Sequence, residues 1–166
     1  MAGSRRRVEA RRLKAHNQGM AGYEQDFVQW TREQADALRS AARAGANLPV
    51  DWENVAEEIE SLGRSDRHEI ESRIGTIIEH LLKLQSSPAT MPRGGWRATV
   101  VRERATVMDR LADSPSLRPQ VAAIVAHETR NARRVVALEL ELEEFGERLA
   151  ELPDYTEEQV LGDWLP

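Results

Sequence analysis

The sequence contains no cysteine. That excludes disulfides, thiol nucleophiles and Cys-ligated zinc, and it fits a reducing, cytoplasmic setting. Aromatic residues are scarce, with four tryptophans, two tyrosines and two phenylalanines. No apolar run reaches the roughly 18 residues of a membrane-spanning helix, so no membrane span is expected. The N-terminus is basic but lacks an apolar core segment, so no secretory signal is expected either. The chemical signatures are missing too. There is no His-Glu-x-x-His or Glu-x-x-His pair, which argues against helical zinc proteases and carboxylate-bridged di-iron bundles. No phosphate loop, dinucleotide glycine motif or nucleophile elbow occurs, and no cofactor is expected.

What is present is charge and helical pattern. Residues 1–20 hold Arg5, Arg6, Arg7, Arg11, Arg12 and Lys14 against Glu9 alone, a net charge of +5. The remaining chain holds 17 basic and 27 acidic residues, a net charge of −10. Residues 1–22 therefore read as a basic disordered tail. Residues 23–166 read as a single helical domain. The tail is either a solubilising extension or a contact for nucleic acid or anionic lipid. The acidic remainder argues against nucleic acid binding over its general surface, so any such contact is expected only through residues 1–20.

The chain is organised around Asp51–Gln85. At 100° per residue, Trp52, Ala56, Ile59, Gly63, Ile70, Ile74, Ile77 and Leu81 share one face, with Val55, Ile78 and Leu84 at its margins. The face stays in phase across Gly63, which predicts one long helix. Asp51 is its expected N-cap, and Pro88 forbids easy continuation beyond it. An earlier helix is expected over Asp26–Ala44, with Phe27, Trp30, Gln34, Leu38 and Ala41 on one face and Gly45 and Asn47 as stop signals. Ser86–Gly95 reads as a loop. A third helix is expected over Trp96–Ala112, carried by Trp96, Val100, Val107, Met108 and Leu111. A fourth is expected to start with Ser116 as N-cap and Pro119 in its first turn, and to reach as far as Leu149. Its seam is Leu117, Val121, Ile124, Glu128, Asn131, Val135, Leu138, Leu142, Phe145 and Leu149, spaced alternately by four and three. Thr156 and Gln159 make a capping box for a short last helix over Glu157–Leu161. The predicted class is all-α: a helical bundle of four main helices around one long helix at about 51–85, plus a short C-terminal helix.

Several runs resemble one bacterial family. Tyr23-Glu-Gln-Asp-Phe27 with Trp30, Asp51-Trp52-Glu53, and Ala56-Glu-Glu-Ile-Glu-Ser-Leu-Gly63 are similar to the family catalogued as domain of unknown function 29. His80-Leu-Leu-Lys83, Trp96-Arg-Ala-Thr99 and Ser114-Pro-Ser-Leu117 continue the resemblance, which covers Tyr23 to Pro166. Leu84 and Ser86 depart from it, standing where the family usually has aromatic residues. The resemblance implies a compact all-helical bacterial protein and brings no catalytic role.

The candidate polar cluster is drawn from residues that interrupt or flank the apolar faces. Glu53, Glu57 and Glu60 line one flank of the long helix, followed by Arg64, Arg67 and Glu71. Such a row either holds a divalent cation through oxygen ligands or forms pairs with basic side chains. His80 sits on the opposite flank, as a packing residue or an acid–base group. On the fourth helix His127, Glu128 and Asn131 interrupt the seam. On the third, Glu103 and Arg104 do the same, with Arg102 beside them. Buried polar groups need partners, so these interruptions are expected to meet in one layer, with Arg104 or Arg67 as the cation facing Glu128.

Three functions remain open. The first is a protein-interaction module with an unknown protein partner and no standalone catalysis. The second is a metal- or anion-dependent enzyme using Glu57, Glu60, His80, Arg102, His127 and Glu128. The third is a nucleic acid contact through the basic tail.

Overall fold

The first helix begins where a side chain can cap it. Asp26 Oδ1 accepts the Gln29 backbone N–H at 2.8 Å, and α1 runs Phe27–Arg43. The structure, a computed structural model, describes residues 21–45, 48–139, 149 and 151–166. The expected tail over residues 1–22 falls outside them up to residue 20, as does Asn47. Among the described residues there are five α-helices, one 3₁₀ helix and no strand. The all-α class is therefore as expected. Among the same residues, no helix is long and apolar enough to cross a membrane.

The buried face of α1 differs from the expected one. Val28, Thr31 and Ala35 are fully buried, not Phe27, Trp30 and Leu38. Phe27 and Trp30 instead form an aromatic group with Tyr23, with ring centroids 5.0–6.1 Å apart. The reason is a close helix approach that only small residues permit. A Cβ on Gly63 would lie 2.3 Å from Thr31 Oγ1 and 3.6 Å from the Val28 Cα.

The long helix α2 runs Trp52–Ser86, within a residue of expectation at each end. Asp51 Oδ1 accepts the Asn54 N–H at 3.3 Å, as an N-cap should. The expected stripe is buried at Ala56, Ile70, Ile74, Ile77 and Leu81, and widens to Ile78, Leu82 and Leu84. Val55, placed at the margin, is 40% exposed. Two compact units divide within this helix, one ending at Arg64 and the other beginning at Ser65.

In the second unit, α3 spans Arg93–Asp113, three residues earlier than expected. Pro92, at φ −79°, is already in the helical region and takes the cap position, so Gly94 and Gly95 form the first turn rather than a loop. The helix runs antiparallel to α2: Glu69 pairs with Arg110 at 3.0 Å and Arg73 with Glu103 at 2.6 Å. A 3₁₀ helix, Pro115–Gln120, follows where an α-helix capped by Ser116 was expected. Pro119 has no N–H to give the carbonyl four residues back, so an α-turn cannot close there. The tighter turn closes instead, with the Leu117 N–H on the Ser114 carbonyl at 3.0 Å.

The next helix, α4, is Val121–Glu139. Its expected extension lies mostly outside the described residues, although Leu149 is described and buried. It runs parallel to α2: Glu128 lies over Gly75, and Glu139 pairs with Lys83 at 2.5 Å. Its buried face is Val121, Ile124, Val125, Thr129, Ala132 and Val136. The expected seam leaves the core, with Val135 40% and Leu138 78% exposed. A strict seven-residue repeat drifts by about 20° per heptad on a straight helix. The last helix, α5, is Glu157–Leu161, and both hydrogen bonds of the Thr156–Gln159 capping box form.

Candidate functional site

The second unit carries a cleft of about 470 Å³, within the range of small-ligand sites. Arg67 and Glu71 of α2 line one side. Pro119 and Gln120 of the 3₁₀ helix and Ala123, Ile124, His127 and Glu128 of α4 line the rest. Pro119, Ala123 and Ile124 supply the apolar surface. The polar groups come in carboxylate-held pairs. Glu71 Oε1 accepts from Arg67 Nε at 3.0 Å, and its Oε2 lies 3.0 Å from His68 Nδ1. Glu128 Oε1 lies 2.7 Å from His127 Nδ1. The Asn131 amide nitrogen lies 3.3 Å from the same His127 Nδ1. The Asn131 amide donates to Glu128 Oε2 at 3.4 Å. Gly75 makes room for that oxygen, since a Cβ there would lie 3.2 Å away.

This arrangement brings together Arg67, His127 and Glu128, with Asn131 behind them. It does not bring in the other candidates. Glu57 is exposed in the first unit. Glu60, in the same unit, accepts from Arg39 Nη2 at 3.0 Å and faces Arg64 Nη1 at 3.7 Å. Arg39 also donates to Glu53 at 2.9 Å, so two of the three carboxylates of the expected row are held by one guanidinium. Glu53, the first and larger cause, and Glu60 both raise the Arg39 pKa. His80 does not line the cleft, and its Nδ1 donates to the Thr76 carbonyl at 2.8 Å. Arg102 is exposed and donates to Thr99 Oγ1 at 3.2 Å. Among the described residues, no three His, Asp or Glu side chains are grouped to hold a metal ion.

The expected polar layer does not form. Arg104 is buried and turned away from Glu128. It donates to the carbonyls of Val160 and Gln159 at 2.8 Å and of Trp164 at 2.7 Å. Burial lowers its pKa, while Asp163 pulls the other way. Its task is to satisfy the open carbonyls at the end of α5. Glu103, about 100° round the helix, meets Arg73 instead. Arg67 shares the cleft with Glu128 but pairs with Glu71, so neither expected cation is Glu128's partner. Arg133 adds a second clamp on the C-terminal segment, reaching the Leu152 carbonyl at 2.5 Å and Asp154 at 3.2 Å. Sequence reasoning missed it because it reads as one more exposed arginine in a polar run. Burial also raises the pKa of Glu79. Lys83, the next largest influence, opposes this.

A second feature was missed as well. The outer side of α3 presents Gly94, Ala98, Val101, Ala105, Met108 and Ala112, all exposed. Val101 is 59% and Met108 40% exposed, and Met91, just before the helix, is 93% exposed. The adjoining side buries Val100, Val107 and Leu111, and Arg102 and Asp109 stand opposite it. The spacing signal was available, alternating by three and four from Met91 to Ala112. It is weak because alanine contributes little to an apolar pattern.

Fold and cleft together define an all-α protein with paired polar groups at its surface and one helix with an exposed apolar row beside its buried side. The chain belongs to the family described as domain of unknown function DUF29, which it matches over residues 22–165. It is also similar to an α-helical protein of unknown function from Rhodospirillum rubrum, known from a crystal structure. The two are 27% identical, with a TM-score of 0.64, over 86% of this chain and 90% of that one. No curated protein matches the chain.

Proposed function

We propose that the protein is a bacterial protein-interaction module and that α3 is its contact helix. One observation carries this reading: an exposed apolar row on α3, Ala98, Val101, Ala105, Met108 and Ala112, adjoins the side that buries Val100, Val107 and Leu111. The charged residues Arg102 and Asp109 stand opposite the buried side, as on a usual surface helix, so the apolar surface of α3 is wider than its core contact needs. An uncharged row along about 21 Å of exposed helix, from Ala98 to Ala112, is the pattern of a surface made to be covered. The polar candidates support the reading from the other direction. Arg104, Glu103, Glu60 and His80 are each held in a bond internal to the chain. The test is a photo-crosslinking residue placed at Val101, in cells and in the purified protein. A defined protein adduct at position 101, absent when the same residue is placed at exposed Glu57, is the expected result. No adduct under either condition would remove the reading.

The cleft supports a second reading, a small-ligand or enzyme site. Arg67 stands against Glu71 and Glu128, so the cleft's Arg and Glu side chains sum to a charge of −1. That disfavours a simple anion and suits a small zwitterion, its carboxylate on the Arg67 guanidinium and its ammonium near Glu128. Free amino acids screened by thermal shift test this. An apolar amino acid that raises the wild-type melting temperature, and fails to do so in Arg67→Met and Glu128→Gln, would establish the site. A flat screen at millimolar ligand would close it.

A further inference from the structure

The first unit, which ends at Arg64, has almost no core of its own. Among its described residues the buried apolar side chains are Val28, Ala35 and Ala56. Its larger apolar side chains stay partly in solvent. Phe27, Leu38, Trp52 and Ile59 are half-buried, while Val55 is 40% and Leu62 51% exposed. We infer that the open face of this helical hairpin packs against the same face of a second copy of the chain, closing a four-helix bundle. This surface is separate from α3 and does not depend on the contact proposed there.

Helix geometry gathers the open residues on one side. Here α1 and the first part of α2 run antiparallel, with Thr31 beside Gly63 and Arg39 bonded to Glu53 and Glu60. At about 100° per residue, Val28 and Ala35 mark the contact line of α1, and Ala56 and Gly63 that of α2. Arg39 lies to one side of the first line, and Glu53 and Glu60 lie to the matching side of the second. Their bonds close that flank. Phe27, Gln34 and Leu38 fall on the other side of α1, and Val55, Ile59 and Leu62 on the other side of α2. No charged residue of the first unit lies between these positions and the contact lines.

Two arguments make the cover a second copy. The hairpin needs a cover whenever it is folded. Two helices that meet through valine, threonine, alanine and glycine bury too little apolar area to offset the roughly 1–2 kcal/mol per residue of backbone ordering. A partner needed that constantly is one made together with the chain, and an identical copy always is. Residues 1–20 are no substitute, being six basic residues with few apolar ones among them. The face also has the size and makeup. The 17 residues of α1 span about 25 Å, and two helices side by side are about 20 Å wide. Two such faces cover about 1,000 Å² in total, the area at which specific interfaces begin. Permanent dimer interfaces are apolar, with few charges at their centre, as this face is.

Sedimentation equilibrium of the full chain from about 1 to 200 µM, a range suited to an interface of this size, tests the inference. A concentration-dependent dimer is expected. Val55→Glu and Leu62→Glu each put a charge into the apolar contact and should weaken association at least about tenfold. Val101→Glu, on the exposed row of α3, should leave it unchanged. Because the hairpin leans on this contact, a charged variant can lose its fold, so a milder probe is read beside it. Leu62→Cys introduces the only thiol of the chain. A nitroxide attached there should show dipolar coupling to the label of the second copy, and excess unlabelled chain should abolish it. A wild type still monomeric at about 200 µM overturns the inference. So does a dimer that Val101→Glu weakens and Leu62→Glu does not, or a dimer whose labels at position 62 show no coupling.

Discussion

Gly63 has no side chain, yet it determines how α1 can lie on the first part of α2. Helix propensity alone favours alanine there by about 1 kcal/mol. Geometry opposes it, because the added Cβ would fall 2.3 Å from Thr31 Oγ1. That hydroxyl is buried and donates to the Val28 carbonyl at 2.9 Å. Turning it aside leaves a polar group without its partner in a dry contact. Gly63→Ala should therefore destabilise the protein by about 1–3 kcal/mol, despite the better propensity. Thr31→Ala in the same chain should recover part of that loss. Chemical denaturation of the four variants measures the coupling, and additive effects would show that the contact is not the cause. Gly63 could be read from the sequence only as a tolerated fault in a long helix. Its partner is a threonine 32 positions earlier, and no local pattern joins them. The candidate site was legible to the same partial degree. Arg67, His127 and Glu128 do share one cleft. Arg104 could not be placed, because its partners are three backbone carbonyls, and a carbonyl leaves no trace in residue type.

Elements were more legible than contacts, and the errors have a common physical origin. The stripe of α2 was readable because isoleucine and leucine dominate it and the expected period matches a straight helix over 35 residues. In α4 the expected seam followed a 3.5-residue period, whereas the helix keeps 3.6. By Val135 and Leu138 the difference has turned the row out of the core, and Thr129, Ala132 and Val136 have replaced it. Glu128 and Asn131 thus sit at the flank and never had to form a buried layer. In α1 the large residues suggested the face and the small ones were buried. Hydrophobicity ranks side chains by size, but a close helix crossing selects for lack of size. The outer row of α3 was overlooked for the same reason, since four of its six helical positions are glycine or alanine. Local chemistry was the most reliable guide. Asp51 and the Thr156–Gln159 box cap the helices they precede, as expected. Ser116 stands inside the 3₁₀ helix Pro115–Gln120 instead of at the start of an α-helix.

At the scale of the whole chain the dominant fact is the division of charge. Residues 1–20 carry +5 and the remainder −10. We propose that those first residues are dispensable for folding and account for any affinity the protein has for nucleic acid. They hold few apolar side chains, too few to offset the roughly 1–2 kcal/mol per residue that ordering a backbone costs. The Ala21 N–H bond to Glu33, at 2.7 Å, survives a cut before Met20. A chain beginning at Met20 should therefore keep the melting temperature of the full chain. Its interaction with DNA should differ sharply. Six basic residues on duplex phosphates release counterions, giving a slope of about −5 in log affinity against log salt for the full chain. The truncated chain, left with its acidic remainder, should show no affinity even at low salt, because like charge repels it from the duplex. Fluorescence anisotropy with a labelled duplex from 25 to 200 mM salt, on the scale over which such slopes are resolved, measures both forms. Binding that persists after truncation would place the contact on the folded residues and refute the tail. A full chain that does not bind at the lowest salt would reduce the tail to a solubilising extension, leaving the apolar row of α3 as the interaction surface to pursue.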